Sequence, residues 1–125
     1  MHTQVRVPTT TDPVLAPIVA VFARARRRQR EMLRAHYRAA GRRLTATGLA
    51  QAAGCRHYAY ANRWYGQMGR ELYGITPSRI DRWTSAGAPV FTTMLATDVT
   101  QPGDPERVWE LRPEVARAVE ALGWS

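Results

Sequence analysis

The sequence predicts a mainly helical α+β domain, and three features support that prediction. Apolar residues recur every three or four positions over much of residues 17–73, which is the spacing of one helix face. Two short segments that read as strands follow, separated by a turn that contains proline and glycine. The last segment begins with Pro113 and again has apolar residues at helical spacing, which predicts a closing helix.

The length and composition of the chain predict one globular domain. A chain of 125 residues can bury one modest core, and its 45% hydrophobic and 22% charged residues are typical of globular proteins. Pro8, three threonines and Asp12 give the beginning of the chain the composition of a mobile segment. We therefore expect a flexible N-terminal arm over residues 1–15 and a single domain over residues 16–125.

A long first helix is predicted from Pro17 to Ala40, ending before Gly41. One face of it is apolar and consists of Ile18, Phe22, Ala25, Leu33, Tyr37 and Ala40. Nine arginines lie between Arg24 and Arg43, with a single acidic residue among them. This density of like charge favours a polyanionic partner, and a merely solvated charged face is the alternative.

Two further helices and the turn between them have the outline of a helix-turn-helix. The first is predicted over Thr47–Ala53, with Thr45 or Thr47 as its cap and Gly54 as its end. The second is predicted from His57 to about Tyr73, before Gly74. The outline is typical of DNA-binding motifs, although helical pairs that do not touch DNA share it.

A β-hairpin is predicted after a connector over residues 75–88. Its strands are Val90–Val99 and Arg107–Leu111, and Gln101–Pro105 forms the turn between them. Together with the closing helix from Pro113, this order of elements predicts a winged-helix-like fold, in which a helix-turn-helix core is followed by a hairpin and a C-terminal helix.

The charge of the chain is positive and clustered. The net charge is +8, and all 18 basic residues are arginine. Fourteen arginines against three acidic residues give residues 24–82 a net charge of +11, whereas three arginines against six acids give residues 83–125 a net charge of −3. Codon usage in a GC-rich genome would explain the missing lysine but not the clustering.

We expect double-stranded DNA as the partner, because guanidinium groups pair bidentately with phosphate. The wing tip, residues 99–107, is acidic, so we expect it to face away from DNA.

Candidate contacts to DNA bases lie in or near the second helix of the helix-turn-helix: Arg56, His57, Tyr60, Asn62, Arg63 and Arg70. Asn62 has the alternative role of a buried amide, and Tyr60 that of a core residue. Gly66 and Gly69 are expected to allow close helix packing rather than the approach of a ligand. Candidate contacts to phosphate, which cannot discriminate sequence, are Arg27, Arg28, Arg34, Arg38, Arg42 and Arg43.

Few features of the chain support catalysis or a cofactor. Cys55 is the only cysteine and the three histidines have no zinc-ligand spacing, so we expect neither a disulfide nor a metal site. No nucleophile motif or glycine-rich phosphate loop is present, and we expect a binding module rather than an enzyme. The apolar stretch Val14–Ala23 is interrupted by Pro17 and precedes the arginines, so we expect no signal peptide and no membrane span. The single cysteine makes a reducing cytoplasm the expected location.

Two blocks of the chain, residues 45–74 and residues 108–124, carry a pattern of small, aromatic and leucine positions. In the first block these positions are Leu49, Ala50, Gly54, Tyr58, Ala61, Asn62, Tyr65, Gly66, Gly69 and Leu72. The pattern resembles the N-terminal region of bacterial HNH-type restriction endonucleases, without their nuclease domain, over roughly residues 30–124. Cys55 stands where that pattern has an aromatic residue, and Arg63 where it has an apolar one. The resemblance implies a DNA-targeting module of a restriction or defence system, which senses modified bases, such as methylated ones, and acts with a separate or fused nuclease.

Two alternative functions remain open from the sequence. A transcriptional regulator of the helix-turn-helix type would have the same outline and the same charge. A protein-interaction domain would present the basic helix to an acidic partner. Affinity for duplex DNA that falls with rising salt would separate both DNA-binding functions from the protein-interaction domain.

Overall fold

The domain consists of helices packed around a small sheet. The computed structural model describes residues 10–76 and 90–125. Within these residues the elements follow in the order α1 (Leu15–Phe22), α2 (Arg27–Arg38), β1 (Arg43–Thr45), α3 (Ala46–Ala52), α4 (Tyr58–Ile75), β2 (Ala96–Asp98), β3 (Val108–Leu111) and α5 (Pro113–Ala121). Two short 3-10 helices, Ala40–Arg42 and Phe91–Met94, precede β1 and β2. The predicted α+β class is confirmed.

The chain enters α1 through contacts made by Asp12. One carboxylate oxygen accepts a hydrogen bond from the backbone N–H of Val14 at 2.8 Å, and the other lies 2.8 Å from the guanidinium of Arg117 in α5. These contacts, the Val14 hydrogen bond most of all, lower the pKa of the Asp12 carboxyl. Leu15 is buried. Residues 10–15 therefore belong to the packed domain and not to the predicted arm, whereas residues 1–9 lie outside the described residues.

The predicted single helix from Pro17 to Ala40 is wrong, because two helices occupy this segment. At Arg26 the backbone is extended, and its N–H donates to the side-chain oxygen of Gln29 at 2.8 Å, which caps a new helix. The helix before the break buries neighbouring residues on several sides, whereas α2 buries one narrow face. That face consists of Gln29, Met32, Leu33 and His36. Because the two helices bury such different faces, their axes must point in different directions, and the break at Arg26 allows this change of direction.

The two helices predicted over Thr47–Ala53 and from His57 to about Tyr73 are present, with slightly different bounds, as α3 and α4. The Thr45 hydroxyl caps α3 by accepting a hydrogen bond from the N–H of Gly48 at 3.1 Å. Gly54 follows α3 with a φ of +74°, a conformation that favours glycine. The predicted end of α4 is two residues short, since Gly74 lies inside the helix and Ile75 is its last residue.

The sheet has the strand order β1-β3-β2, and both outer strands run antiparallel to β3. Strand β3 lies within the predicted Arg107–Leu111, and a turn with Gly103 at a φ of +95° precedes it. The predicted strand Val90–Val99 is wrong over its first half, because Phe91–Met94 is a 3-10 helix. There the Thr93 hydroxyl donates to the carbonyl of Val90 at 2.6 Å, which holds the backbone in a turn. The predicted connector lies, except for its first two residues, outside the described residues.

Helix α4 packs against α1, α3 and the 3-10 helix Phe91–Met94. Tyr65 and Leu72 lie on the inward face of this helix and are almost completely buried. At Gly69 a Cβ atom would lie 2.0 Å from the backbone carbonyl oxygen of Phe91, so only glycine allows this approach. The close contact fixes which face of α4 turns inward and, with it, which face turns outward.

Candidate nucleic-acid interface

The outward face of α4 carries a row of long polar side chains. Arg63, Gln67 and Arg70 are exposed and lie four and three residues apart, so they share one side of the helix. The opposite side is apolar at matching intervals, with Ala61, Tyr65, Met68 and Leu72 buried. We call the three exposed residues the α4 ridge. Arg63 makes no hydrogen bond or ion pair with any other residue that the structure describes.

Aromatic side chains surround the start of α4. His57 caps the helix by accepting the N–H of Ala59 at 3.2 Å, and its ring stacks on Tyr58 with a centroid distance of 4.8 Å. Tyr58 is 52% exposed and Tyr60 is 47% exposed, which overturns the alternative that Tyr60 is a core residue. The Tyr60 ring leans on Trp64 at 5.8 Å. The start of α4 thus presents flat rings to the solvent, with Arg56 exposed just before them.

Asn62 lies on a different side of α4 from the ridge. Its side chain is exposed and faces a cleft between α4 and the sheet, which Tyr58, Thr92 and Trp109 also line. The alternative role of a buried amide is therefore wrong. The structure brings Arg63 and Arg70 together on the ridge, places Asn62 beside it and puts Arg56, His57 and Tyr60 at its N-terminal end.

The predicted phosphate contacts on α2 differ in what they touch. Arg27 pairs with Glu31 at 3.0 Å, and Arg28 donates to the sulfur of Cys55 at 3.1 Å, next to the start of α4. Arg38 donates to the backbone carbonyl of Ser125 at 3.1 Å. Arg34 is exposed and makes no hydrogen bond or ion pair within residues 10–76 and 90–125.

Arg42 and Arg43 lie beyond α2, and both contact the protein itself. The Arg42 guanidinium donates to the carbonyl of Tyr37 at 2.8 Å and lies 4.1 Å above the centre of the Tyr37 ring. The backbone of Arg42 has a φ of +56°, which is uncommon for a residue other than glycine. Arg43 pairs with Glu110 on the neighbouring strand at 3.2 Å. Part of the basic charge before residue 44 is therefore engaged within the fold.

The hairpin that follows β2 is acidic and internally paired. Arg107 donates to Asp98 at 2.6 Å, and the same carboxylate accepts the N–H of Thr100 at 3.0 Å. Glu106 accepts a hydrogen bond from the Thr47 hydroxyl at 2.7 Å, which ties the hairpin to the first turn of α3. The one arginine of the hairpin is thus already paired, and the remaining carboxylates would repel phosphate.

A buried hydrogen-bonded chain holds α2, α4 and β3 together. Both ring nitrogens of His36 are 2.8 Å from a partner, Nδ1 from the Tyr65 hydroxyl and Nε2 from the carbonyl of Trp109. A carbonyl can only accept, so Nε2 carries the proton and Nδ1 accepts the hydrogen bond that Tyr65 donates. Burial lowers the pKa of His36 to about 4 and raises the pKa of Tyr65 well above its usual range. Both side chains are therefore neutral in the folded protein at neutral pH.

The sequence analysis missed His36, although a signal for its burial was present. His36 lies four residues after Met32 and three after Leu33, on the same helix face as these two core residues. The partners Tyr65 and Trp109 come from distant segments, so no local pattern identifies them. Gln67 was also absent from the predicted base contacts.

Gly66 has a different environment from Gly69. Apart from its chain neighbours and the backbone of α4 itself, no atom of the described residues lies within 4 Å of the place that a Cβ atom would occupy at Gly66. The predicted role in close packing is therefore confirmed for Gly69, whereas the described residues show no such packing at Gly66. A notch of about 360 Å³ opens at this point, lined by Arg63, Gly66, Gln67, Arg70 and Phe91.

Among residues 10–76 and 90–125, no three His, Cys, Asp or Glu side chains come together in a way that would hold a metal ion. In the same part of the chain, none of the helices has the length and apolar character needed to cross a membrane. Comparisons with protein-family models, curated proteins and solved structures found no match to this chain. The resemblance to restriction endonucleases stays a prediction.

Proposed function

We propose that this chain is a double-stranded DNA-binding domain of the winged-helix type, in which α4 is the recognition helix in the major groove. The observation that carries the proposal is the α4 ridge. It presents two guanidinium groups and one amide on the outward face of a helix of 18 residues. Arginine and glutamine are suited to the major-groove edges of guanine and adenine respectively.

The order of the elements supports this proposal. Strand β1 lies between α2 and α3, and the antiparallel pair β2 and β3 follows α4, with β3 in the middle of the sheet. A winged helix has this arrangement, with the β2–β3 connection as the wing. In this protein the wing is acidic, so we assign it a structural role and place DNA against α4.

The distribution of free and paired arginines supports a phosphate-binding border around α4. Arg56 and Arg28 lie at its N-terminal end, where Arg28 contacts Cys55. Arg34 is exposed on α2 beside Gly123 and Trp124, and its guanidinium would extend the phosphate contacts along α2. These groups would supply affinity that does not depend on sequence, whereas the ridge would supply the choice of sequence.

A salt titration with duplex DNA tests the proposal. We expect the logarithm of the affinity to fall linearly with the logarithm of the salt concentration, with a slope of about −0.9 for each phosphate neutralised. Arg34→Gln should reduce that slope by roughly one unit and weaken all duplexes alike. Arg63→Ala should weaken the preferred duplex by about 1–3 kcal/mol relative to a random one.

Arg117→Gln is the matched control, because it removes one positive charge from α5, where Arg117 pairs with Asp12. It should leave DNA affinity nearly unchanged. Absence of binding to any duplex at low salt would refute the proposal and would favour an acidic protein partner instead.

A further inference from the structure

Gly66 is an unexplained glycine in the interior of α4. Glycine is among the least favourable residues in a helix, so its presence calls for a reason in packing or binding. Gly69 has such a reason in the carbonyl of Phe91, whereas no described atom outside the α4 backbone and the chain neighbours comes within 4 Å of a Cβ atom at Gly66. The space that the described residues leave open at Gly66 borders Arg63, Gln67 and Arg70 of the ridge.

The walls of the notch at Gly66 have a defined chemistry. Arg63, Gln67 and Arg70 supply hydrogen-bond donors, and the Phe91 ring supplies an apolar surface. The Arg70 guanidinium lies over that ring at 5.3 Å from its centre, and Tyr73 packs edge-on against the same ring at 5.5 Å. Phe91 is thereby held in place beside the opening.

We infer that the notch receives the major-groove edge of a pyrimidine that carries a 5-methyl group, and that Gly66 determines this specificity. This inference rests on the proposed function. The 5-methyl group is the apolar feature of the major groove, and small or aromatic side chains contact it. The missing Cβ of Gly66 and the ring of Phe91 offer such a contact, while the arginines pair with neighbouring bases. Thymine and 5-methylcytosine both carry the group.

The test needs no knowledge of the preferred site. One pool of random-sequence duplexes is amplified in four versions, which contain thymine or uracil in combination with cytosine or 5-methylcytosine. We expect the full chain to bind the uracil–cytosine pool about fourfold more weakly than the thymine–cytosine pool, since burying one methyl group contributes about that factor. Recovery of affinity with uracil and 5-methylcytosine would identify the cytosine derivative as a ligand of the notch, and lack of recovery would restrict the ligand to thymine.

Gly66→Val places a branched apolar side chain in the notch without a large effect on the fold, because valine and glycine have similar, low helix propensities. This variant should bind the thymine and uracil pools equally. Gly74→Val is the matched control, since Gly74 lies in the same helix, also has no described atom within 4 Å of a Cβ, and does not line the notch. It should keep the fourfold difference, and thermal unfolding of both variants checks that each is folded.

The outcomes separate the two proposals. Equal affinity of the wild type for all four pools would overturn the inference and leave DNA binding in place. A difference between pools that persists in Gly66→Val would overturn the role of Gly66. Binding to none of the pools at low salt would overturn the proposed function itself.

Discussion

His36 and Tyr65 show how one buried hydrogen bond constrains the core. The Tyr65 hydroxyl is the only donor that the described residues offer to Nδ1 of His36, because Nε2 donates to the carbonyl of Trp109. A buried acceptor that loses its donor retains the full cost of its desolvation. Losing the Tyr65 hydroxyl therefore costs more than the net stabilisation of one hydrogen bond, because it leaves Nδ1 of His36 buried and unpaired.

Tyr65→Phe should destabilise the domain by about 1–3 kcal/mol, because it leaves Nδ1 of His36 buried without a donor. Chemical denaturation measures the change in the free energy of unfolding. Tyr37→Phe is the matched control, since its hydroxyl makes no hydrogen bond to a described residue, and it should change stability little. Equal effects of the two substitutions would contradict the assigned role of Tyr65.

At the scale of single elements, Gly66 and Gly69 in α4 make opposite contributions to the stability of the domain. Gly69→Ala places a Cβ atom 2.0 Å from a backbone oxygen that cannot rotate away, so the helix or the Phe91–Met94 segment must shift. Overpacking of this kind typically costs about 1–3 kcal/mol. Gly66→Ala meets no described atom and should stabilise the domain by about 1 kcal/mol through helix propensity.

Thermal unfolding of the two single variants checks this contrast. The expected order of midpoints is Gly66→Ala above wild type and Gly69→Ala below it. A Gly69→Ala variant as stable as the wild type would mean that α4 does not approach the Phe91 carbonyl closely in solution.

How well each element could be predicted depends on whether its cause is local. The helix pair α3 and α4 was predicted because Thr45, Gly54 and the apolar spacing all act within a few residues. The break between α1 and α2 was missed because arginine and alanine are both good helix formers, and the cause is the different packing of the two helices. The β-branched residues of Phe91–Met94 favour extended structure and so predict a strand, whereas packing against α4 accompanies a 3-10 helix there.

The candidate site could be predicted only in part, for the same physical reason. Arg63 and Arg70 follow from helical spacing alone. The contacts that engage the Arg42 and Arg43 guanidinium groups involve Tyr37 and Glu110, and the second of these is distant in sequence. The open space at Gly66 depends on where Phe91 lies, which no pattern within α4 specifies.

At the scale of the whole molecule, the protonation state of the buried His36 affects the stability of the entire domain, because a small domain unfolds cooperatively. The pKa of His36 is about 4 in the folded protein, compared with 6.5 for an ordinary histidine. Between these values the unfolded chain binds a proton that the folded chain does not. Stability is therefore fully present above the unfolded pKa and is lost as the pH falls toward the folded pKa.

Lowering the pH from 7 to 5 should accordingly reduce the free energy of unfolding by about 2 kcal/mol through His36. Denaturant titrations at several pH values measure this loss. His36→Gln has no group that titrates in this interval, so its stability should depend less on pH than that of the wild type. An identical pH dependence in the two proteins would contradict the assignment.

The contact between Gly69 and Phe91 has a consequence for association. With backbone against backbone on its inner face, α4 cannot roll about its own axis without unfolding part of the core. The ridge on its outer face is therefore preorganised, because the orientation of α4 is already fixed before a partner binds. Beyond the translational and rotational freedom that any association loses, only the arginine and glutamine rotamers remain to be ordered, at about 0.5–1.5 kcal/mol for each side chain immobilised.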